Sequence, residues 1–564
     1  MRYANGFFMR FIKLVGPFWG AQTQSQVRLQ TALLIALTVM QMILAVLITE
    51  WNAALFNALE QHSMPGLLKQ MAFLVLIFAA SMAVTFNHLL IKRRLQIEWR
   101  AWLTKRISGQ WMREGRHYQV THIQSADHDN PDGRIAEDIR IATEEAISLC
   151  HSLFYSVLLL IGFTALLWNL SGTVALDLGV FNITIQGYLV WVAIIYAVSA
   201  SFLGWRIGRP LTKATDARQT MEANFRFDLV TARENSQAIA LIHGETKQRK
   251  HLGQLFDDIV DAYHQQTKAM SHIILFTSGY SVLSMAFPVL VSAPRYVLGM
   301  ISLGSLMQSV QAFQQMTSAL SWPVDNMSGV AQWRASVERI LNLVQALDDL
   351  EQELVRPDPH RIVLEKSEQP ILRFHQLCIA KIDRVACMSA FNEDIRPGEH
   401  VLIDGNTASG AKLFKAVAGL WPWGEGRIEL PDDEPMFFMP PRPYLPTGAL
   451  VDAICYPEDR ENVDQAELEQ LMTWVGLGEL IEQLEREDIW YTWLPREQQQ
   501  RLGVVRLLLK KPKWILIQES FDSLPPEGEI EMFRLICQQL PEATLITISQ
   551  QPTAEAFHER RITL

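Results

Sequence analysis

The chain has 564 residues, 49% of them apolar and 20% charged, and its 50 basic and 60 acidic side chains leave a formal charge of −10. Length alone allows about four soluble domains of roughly 150 residues, but the charge is unevenly shared. Through Gln345 there are 28 Lys and Arg against 22 Asp and Glu, net +6, and beyond it 22 against 38, net −16. Apolar residues of the first part gather into long stretches, which excludes a disordered chain, a collagen-like repeat and a wholly soluble enzyme.

In chain order, Phe7, Phe8, Phe11, Ile12 and Val15 lie on one side of a helix and Arg10 and Lys13 on another. This is the pattern of an amphipathic elbow lying in a membrane interface, within residues 1–30. A bilayer core of about 30 Å needs about 20 mainly apolar residues to cross as a helix. Six stretches meet that need: Thr31 to Thr49, Met71 to Ile91, His151 to Leu170, Tyr188 to Trp205, Ile273 to Val291 and Val297 to Leu320. The first four are nearly free of charge. The last two carry Ser, Gln and Gly, as helices packed in a bundle do.

Basic residues flanking a span stay on the cytoplasmic side. The Lys92 to Cys150 connection holds ten and the Arg209 to Met270 connection nine, whereas Glu50 to Gly66 and Ser171 to Gln186 hold none. Both termini are therefore expected in the cytoplasm. The two basic connections are long, charged and rich in helix formers, so the spans are expected to continue well beyond the bilayer. Glu50 and His88 are the ionisable residues in or beside the spans that would suit a proton site. Trp168, Tyr188, Trp191, Tyr280, Gln308 and Gln311 would either line a cavity or pack helices.

Residues 336–365 read as a linker and 366–564 as a cytoplasmic α/β domain. His400 to Trp421 reads as strand, Gly-bearing loop, helix, where backbone N–H groups and a helix N-terminus cradle phosphate. The cradle requires G-x-x-x-x-G-K-[ST]. Gly405 and Gly410 are correctly spaced, but Ala411 follows, and Lys412 occupies the slot of the Mg²⁺-binding hydroxyl. "KWILIQES" (Lys513 to Ser520) reads as a buried strand whose end should carry an acidic pair for metal and water. Gln518 stands first, and Glu519 remains. Five cysteines, Cys150, Cys378, Cys387, Cys455 and Cys537, lie far apart and read as buried thiols in a reducing compartment, with neither disulfide framework nor metal site.

Several stretches carry a family resemblance: "DNPDGRIAEDIR" (Asp129 to Arg140), "EANFRFDLVTARENSQAIALIHGE" (Glu222 to Glu245), "GLWPWGEGRIELP" (Gly419 to Pro431), "RPYLPTGAL" (Arg442 to Leu450) and "RLLLKKPKW" (Arg506 to Trp514). Spread over nearly the whole chain, they resemble ATP-binding cassette (ABC) half-transporters. Within that group the chain is similar to SbmA/BacA-related and YddA-type proteins, kin to peroxisomal fatty-acyl-CoA and lysosomal cobalamin transporters. The resemblance implies a membrane all-α six-helix exporter-type domain over residues 31–335, fused to an α/β P-loop-like ABC cassette. It also implies a homodimer in the lipid bilayer, a bulky transported solute such as a peptide, cobalamin-like or acyl compound, and ATP with Mg²⁺ as cofactors. Coupling to the cassette would run through the internal loops: Asp129, Asn130, Pro131, Arg134, Glu137 and Asp138 in the first, Glu222, Phe225, Arg226, Gly244 and Glu245 in the second.

Against the family pattern, Pro441 stands where a Gln would contact Mg²⁺. In "LPREQQQR", Pro495 replaces the signature serine and Glu497 its glycine. Pro525 replaces an Asp, and Gln550 replaces the switch His. A carboxylate near a phosphate is electrostatically adverse, and losing one electrostatic stabiliser of a transition state costs about 3 to 4 kcal/mol. The expected function is a transporter whose cassette is a dimerisation platform with weak or absent ATP turnover, for which the resemblance offers a proton gradient as another energy source. The alternatives are a conventional ATP-driven transporter, with Lys412 swung into the phosphate site and Glu519 as base, and a non-transporting scaffold. Nucleic-acid binding is not expected, because the basic residues follow membrane orientation and the soluble half is acidic.

Overall fold

The computed structural model describes residues 6–20, 25–123, 131–177, 182–355, 360–367, 369–380, 391–405, 407–431 and 436–563. The chain divides into two units: Met1–Gly109 with Asn130–Val344, and Gln110–Asp129 with Gln345–Leu564.

The first unit is a helical bundle. Its elbow helix Phe7–Trp19 buries Leu14, Val15 and Phe18 and leaves Phe8 and Ile12 exposed. Five helices among the described residues are long and apolar enough to cross a membrane: Ser25–Glu60, Met64–Val120, Pro131–Ser171, Tyr188–Glu234 and Glu245–Val297. Most of each apolar window faces outward, as a lipid-facing surface must. The sixth expected span is a 23-residue helix, Leu303–Asp325, that does not reach that threshold. Gln308, Gln311, Gln314 and Gln315 dilute it, while Ala312, Phe313 and Met316 pack inward with Leu159, Phe163, Leu167 and Leu189. It begins later than expected because Ser302 caps it, its hydroxyl accepting from the Ser305 N–H at 3.2 Å.

Several hydroxyls on these helices are satisfied locally, as a medium without water demands. The hydroxyls of Thr38, Thr49, Thr143 and Thr317 each donate to the carbonyl four residues back. Gly304 lets two helices approach closely. Its N–H donates to Asn57 Oδ1 at 3.0 Å, and a Cβ there would collide with the Ala53 carbonyl oxygen.

The second unit contains a five-stranded parallel sheet in the order Arg560–Thr563, His400–Asp404, Thr544–Ile548, Trp514–Gln518, Met436–Met439. Its central strands Trp514–Gln518 and Thr544–Ile548 are buried throughout, as continuous apolar runs covered by helices should be. A second, four-stranded sheet orders Val363–Ser367, Gly424–Pro431, Leu372–Ile379 and Phe391–Ile395. The helix Met327–Val355 runs through most of the stretch expected to be linker. One cysteine expectation is corrected: Cys378 is disulfide-bonded. Cys150, Cys455 and Cys537 are free, and Cys387 lies outside the described residues.

Candidate functional site

The Gly-bearing loop sits where the His400–Asp404 strand turns into the Thr407–Val417 helix. Gly405 has φ +139°, which only glycine adopts without strain. Its N–H donates to Asp404 Oδ1 at 2.7 Å, and Asp404 is also paired with Arg561. The Arg561 guanidinium, then the Gly405 N–H, hold this carboxyl below its ordinary range, so an anion is fixed beside the loop. Gln550 closes the loop from the other side, its amide donating to the Gly405 carbonyl at 2.8 Å. Gly410 is a packing residue: a Cβ there would come within 2.5 Å of Ile548 Cγ2, on the neighbouring strand.

Lys412 points elsewhere. Its Nζ stands 5.5 Å from the ring centroid of buried Trp421, a cation–π contact worth about 0.5 to 2 kcal/mol. Ala411 supplies no charge, and Arg561 is engaged with Asp404 and with Glu555 at 2.8 Å. Lys412 and Arg561, the cations considered for the loop, are thus engaged with Trp421 and Asp404.

The remaining landmarks fall into two groups. Gln518 ends the buried strand, and Glu519 follows with φ +44°, its N–H bonded to the Ile548 carbonyl at 2.9 Å. The signature stretch is tied to its own surroundings. Pro495 occupies the N-cap of the Arg496–Lys510 helix without a side-chain cap bond, whereas a serine there would add about 1 kcal/mol. Glu497 pairs with Arg501 at 3.1 Å, and Arg501 also donates to the Val475 carbonyl at 2.7 Å. Buried Gln500 links Asp522 at 2.6 Å to the Pro441 carbonyl at 3.2 Å. Pro525 is the N-cap of the Pro526–Gln539 helix. Glu497 makes no ion pair with the loop among the described residues.

Of the first internal loop, Asp129 and Asn130 lie outside the described residues. Pro131, Arg134 and Asp138 are buried. Asp138 receives Arg339 Nε at 2.8 Å, so it braces the bundle. Glu137 lies 4.0 Å from Arg140. In the second loop Glu222 pairs with Arg218 at 3.4 Å, and Phe225 tilts against Phe256 at 5.8 Å. Gly244 is the N-cap before Glu245, and Arg226 is exposed.

Gln110–Ile123 supplies contacts that the sequence did not disclose, made within the cassette unit. Arg116, 6% exposed, pairs with Glu351 at 3.2 Å, and Gln119, 2% exposed, donates to the Gly419 carbonyl at 3.5 Å. Lys415 Nζ lies 5.4 Å from the Tyr118 ring centroid. A Cβ at Gly115, where φ is +75°, would meet Leu420 Cδ2 at 2.6 Å.

In the bundle, Glu50 is exposed and His88 is 7% exposed. No hydrogen bond or ion pair joins them among the described residues. His88 instead lies tilted against His151, ring centroids 4.3 Å apart, and the Nε2 atoms of both are buried without a hydrogen-bond partner. His151 was missed because it stands at the very start of its span. Gln311 is used in packing, accepting from Asn52 at 3.1 Å, and Trp168 lies against Gly187.

Residues 18–297 match the family model described as ABC transporter transmembrane region 2. This stretch resembles an ABC transporter membrane region. Similarity continues beyond it. The inner membrane ABC transporter ATP-binding protein YddA of Escherichia coli K12 is 28% identical over 551 residues, covering 96% of this chain and 95% of the relative. ABC transporter D family member 2 of Arabidopsis thaliana chloroplasts is 25% identical, covering 98% and 85%. The human lysosomal cobalamin transporter ABCD4 is 23% identical, covering 98% and 93%. With both halves aligned, the ABC transporter membrane region is fused to a region corresponding to the ATP-binding part of these relatives.

Proposed function

We propose that the protein is a homodimeric inner-membrane transporter of bulky solutes, with six spans per chain and both termini cytoplasmic, whose cassette serves mainly to hold the dimer together. Its nucleotide site is degenerate and turns over little or no ATP. The observation that carries this reading is the Asp404 carboxylate fixed beside the phosphate loop by Arg561 and the Gly405 N–H. The loop holds its own anion where a nucleotide would bring more negative charge. Ala411, Gln518, Pro495, Glu497 and Gln550 support it, since each stands where family members carry a group for phosphate, metal or water. Peptides, cobalamin-like compounds and acyl compounds are the solute classes that the SbmA/BacA-related and ABCD resemblance suggests. A proton gradient would supply the energy. The His88 and His151 pair, with two unpartnered nitrogens, is a better-placed relay than Glu50.

Titration of the purified protein with Mg-ATP, by calorimetry and phosphate release, should give no saturable binding and a rate equal to that of Glu519→Gln. Clear binding with turnover that Glu519→Gln abolishes would sink the reading. It would establish the second one, a conventional ATP-driven transporter, which is favoured by the retained Glu519 and by relatives whose descriptions include ATP binding. That reading needs Lys412 to leave Trp421, which the modest cation–π energy permits, and also needs the Asp404 and Arg561 pair to open.

A further inference from the structure

A cavity of about 310 Å³, open on one side, lies among the helices Tyr188–Glu234, Glu245–Val297, Leu303–Asp325 and Met327–Val355. Its composition is selective. Trp205, Phe276 and Tyr280 present aromatic surface, Asp325 contributes one carboxylate, and no Lys, Arg or His lines it.

Asp325 is not balanced by the protein. It is an exposed residue and makes no ion pair or side-chain hydrogen bond among the described residues. The Tyr280 hydroxyl lies beside the side chains of Ser321 and Thr317, which hydrogen-bond it. Its ring is held in place by stacking on Tyr196 at 4.8 Å and Phe276 at 6.2 Å. The Ser321 hydroxyl donates to the Thr317 carbonyl, and that of Thr277 donates to the Ile273 carbonyl. Both oxygens therefore keep lone pairs to offer the cavity as acceptors. The Trp205 ring already attracts positive charge, since the Arg209 guanidinium lies 3.6 Å from its centroid.

An apolar wall with a few convergent polar groups is the usual construction of a small-molecule site. Aromatic faces joined to an unpaired carboxylate select for positive charge on an apolar body. We propose that this cavity binds a monovalent organic cation of the substituted-ammonium class, with Asp325 as countercharge and Trp205, Phe276 and Tyr280 against the apolar body. An organic anion is disfavoured by Asp325. A bare inorganic cation would leave the aromatic surface unused.

The site is independent of whether the cassette hydrolyses ATP, so binding rather than transport tests it. Full-length protein in lipid nanodiscs is dialysed to equilibrium against labelled benzyltrimethylammonium. Saturable binding is expected, weakened about tenfold or more in Asp325→Asn, the loss of one charge contact, and kept within about threefold in Asp325→Glu, which retains the charge. Neopentylbenzene, the uncharged carbon isostere, should not displace the probe. Absence of saturable binding to the unmodified protein would overturn the proposal. So would equal binding by Asp325→Asn, or displacement by the neutral isostere as effective as by the cation. Elution of Asp325→Asn at the position of the unmodified protein keeps its loss of binding from being read as misfolding.

Discussion

Placing Lys at 411 and Thr at 412 should leave Mg-ATP binding weak, and adding Asp404→Ser should bring it out. Ala411→Lys with Lys412→Thr restores the cation and hydroxyl that a phosphate loop requires, yet Asp404 stays fixed beside that loop by Arg561 and the Gly405 N–H. The new lysine would then be attracted to the protein's own carboxylate as well as to phosphate. Removing the carboxylate frees the Gly405 N–H for a ligand and turns Arg561 from a neutralised partner into a second cation near the loop. The triple variant should bind Mg-ATP about tenfold to a hundredfold more tightly than the double variant, as expected for unpaired charge at a binding site. Calorimetry on the detergent-purified protein reads this directly. Hydrolysis should still be slow, because Gln518 and Pro495 remain in place. If the double variant already binds as tightly as the triple one, Asp404 is not what keeps nucleotide away.

Gly426→Ala should unfold the cassette at markedly lower temperature, through backbone geometry alone. Gly426 has φ +99°, and a Cβ there would lie 2.5 Å from the His375 carbonyl oxygen and closer still to that of Gln376. These are backbone atoms, so no rotamer change relieves them. The crowding arises because the Leu372–Ile379 strand bulges opposite this point, its register with Gly424–Pro431 shifting between His375 and Cys378. Gln376 takes φ +42° to complete the bulge, its N–H bonded to Asn392 Oδ1 at 2.6 Å. Left-handed strain and a backbone collision together should cost about 3 kcal/mol or more. That corresponds to a drop of about 10 °C in a unit of this size. Tryptophan fluorescence during heating reports it, since Trp421 and Trp423 are buried nearby, 5.4 Å apart. A shift of under about 2 °C would show that the bulge relaxes at small cost.

The sequence disclosed what depends on runs and spacing. The apolar stretch from Met71 to Ile91 is a membrane helix because nothing else satisfies its backbone in lipid. "HVLID" and "WILIQ" became strands of one parallel sheet because continuous apolar runs need burial on both faces. Gly405 and Gly410 marked the loop for their conformational and packing needs. What the spacing did not disclose was pairing at a distance. Asp404 and Arg561 stand 157 positions apart, and neither belongs to a motif. His151 meets His88 only because two spans cross at that height. Asp325 escaped notice because it lies just past the apolar stretch that ended at Leu320, at the end of a helix longer than its apolar part. Lys412 was placed correctly along the chain, but its direction was set by Trp421, which no counting of loop positions involves.

The allotment of Gln110–Asp129 to the cassette unit bears on how this protein can be cut into pieces. A fragment starting at Gln345 reads as a self-contained soluble domain, yet it would leave Glu351 without Arg116, the Gly419 carbonyl without Gln119, and Leu420 open to water where Gly115 now lies. The boundary of the folded unit therefore does not coincide with any single point along the chain. An expression fragment that respects it needs the Gln110–Ile123 segment returned, as a linked or separately supplied peptide.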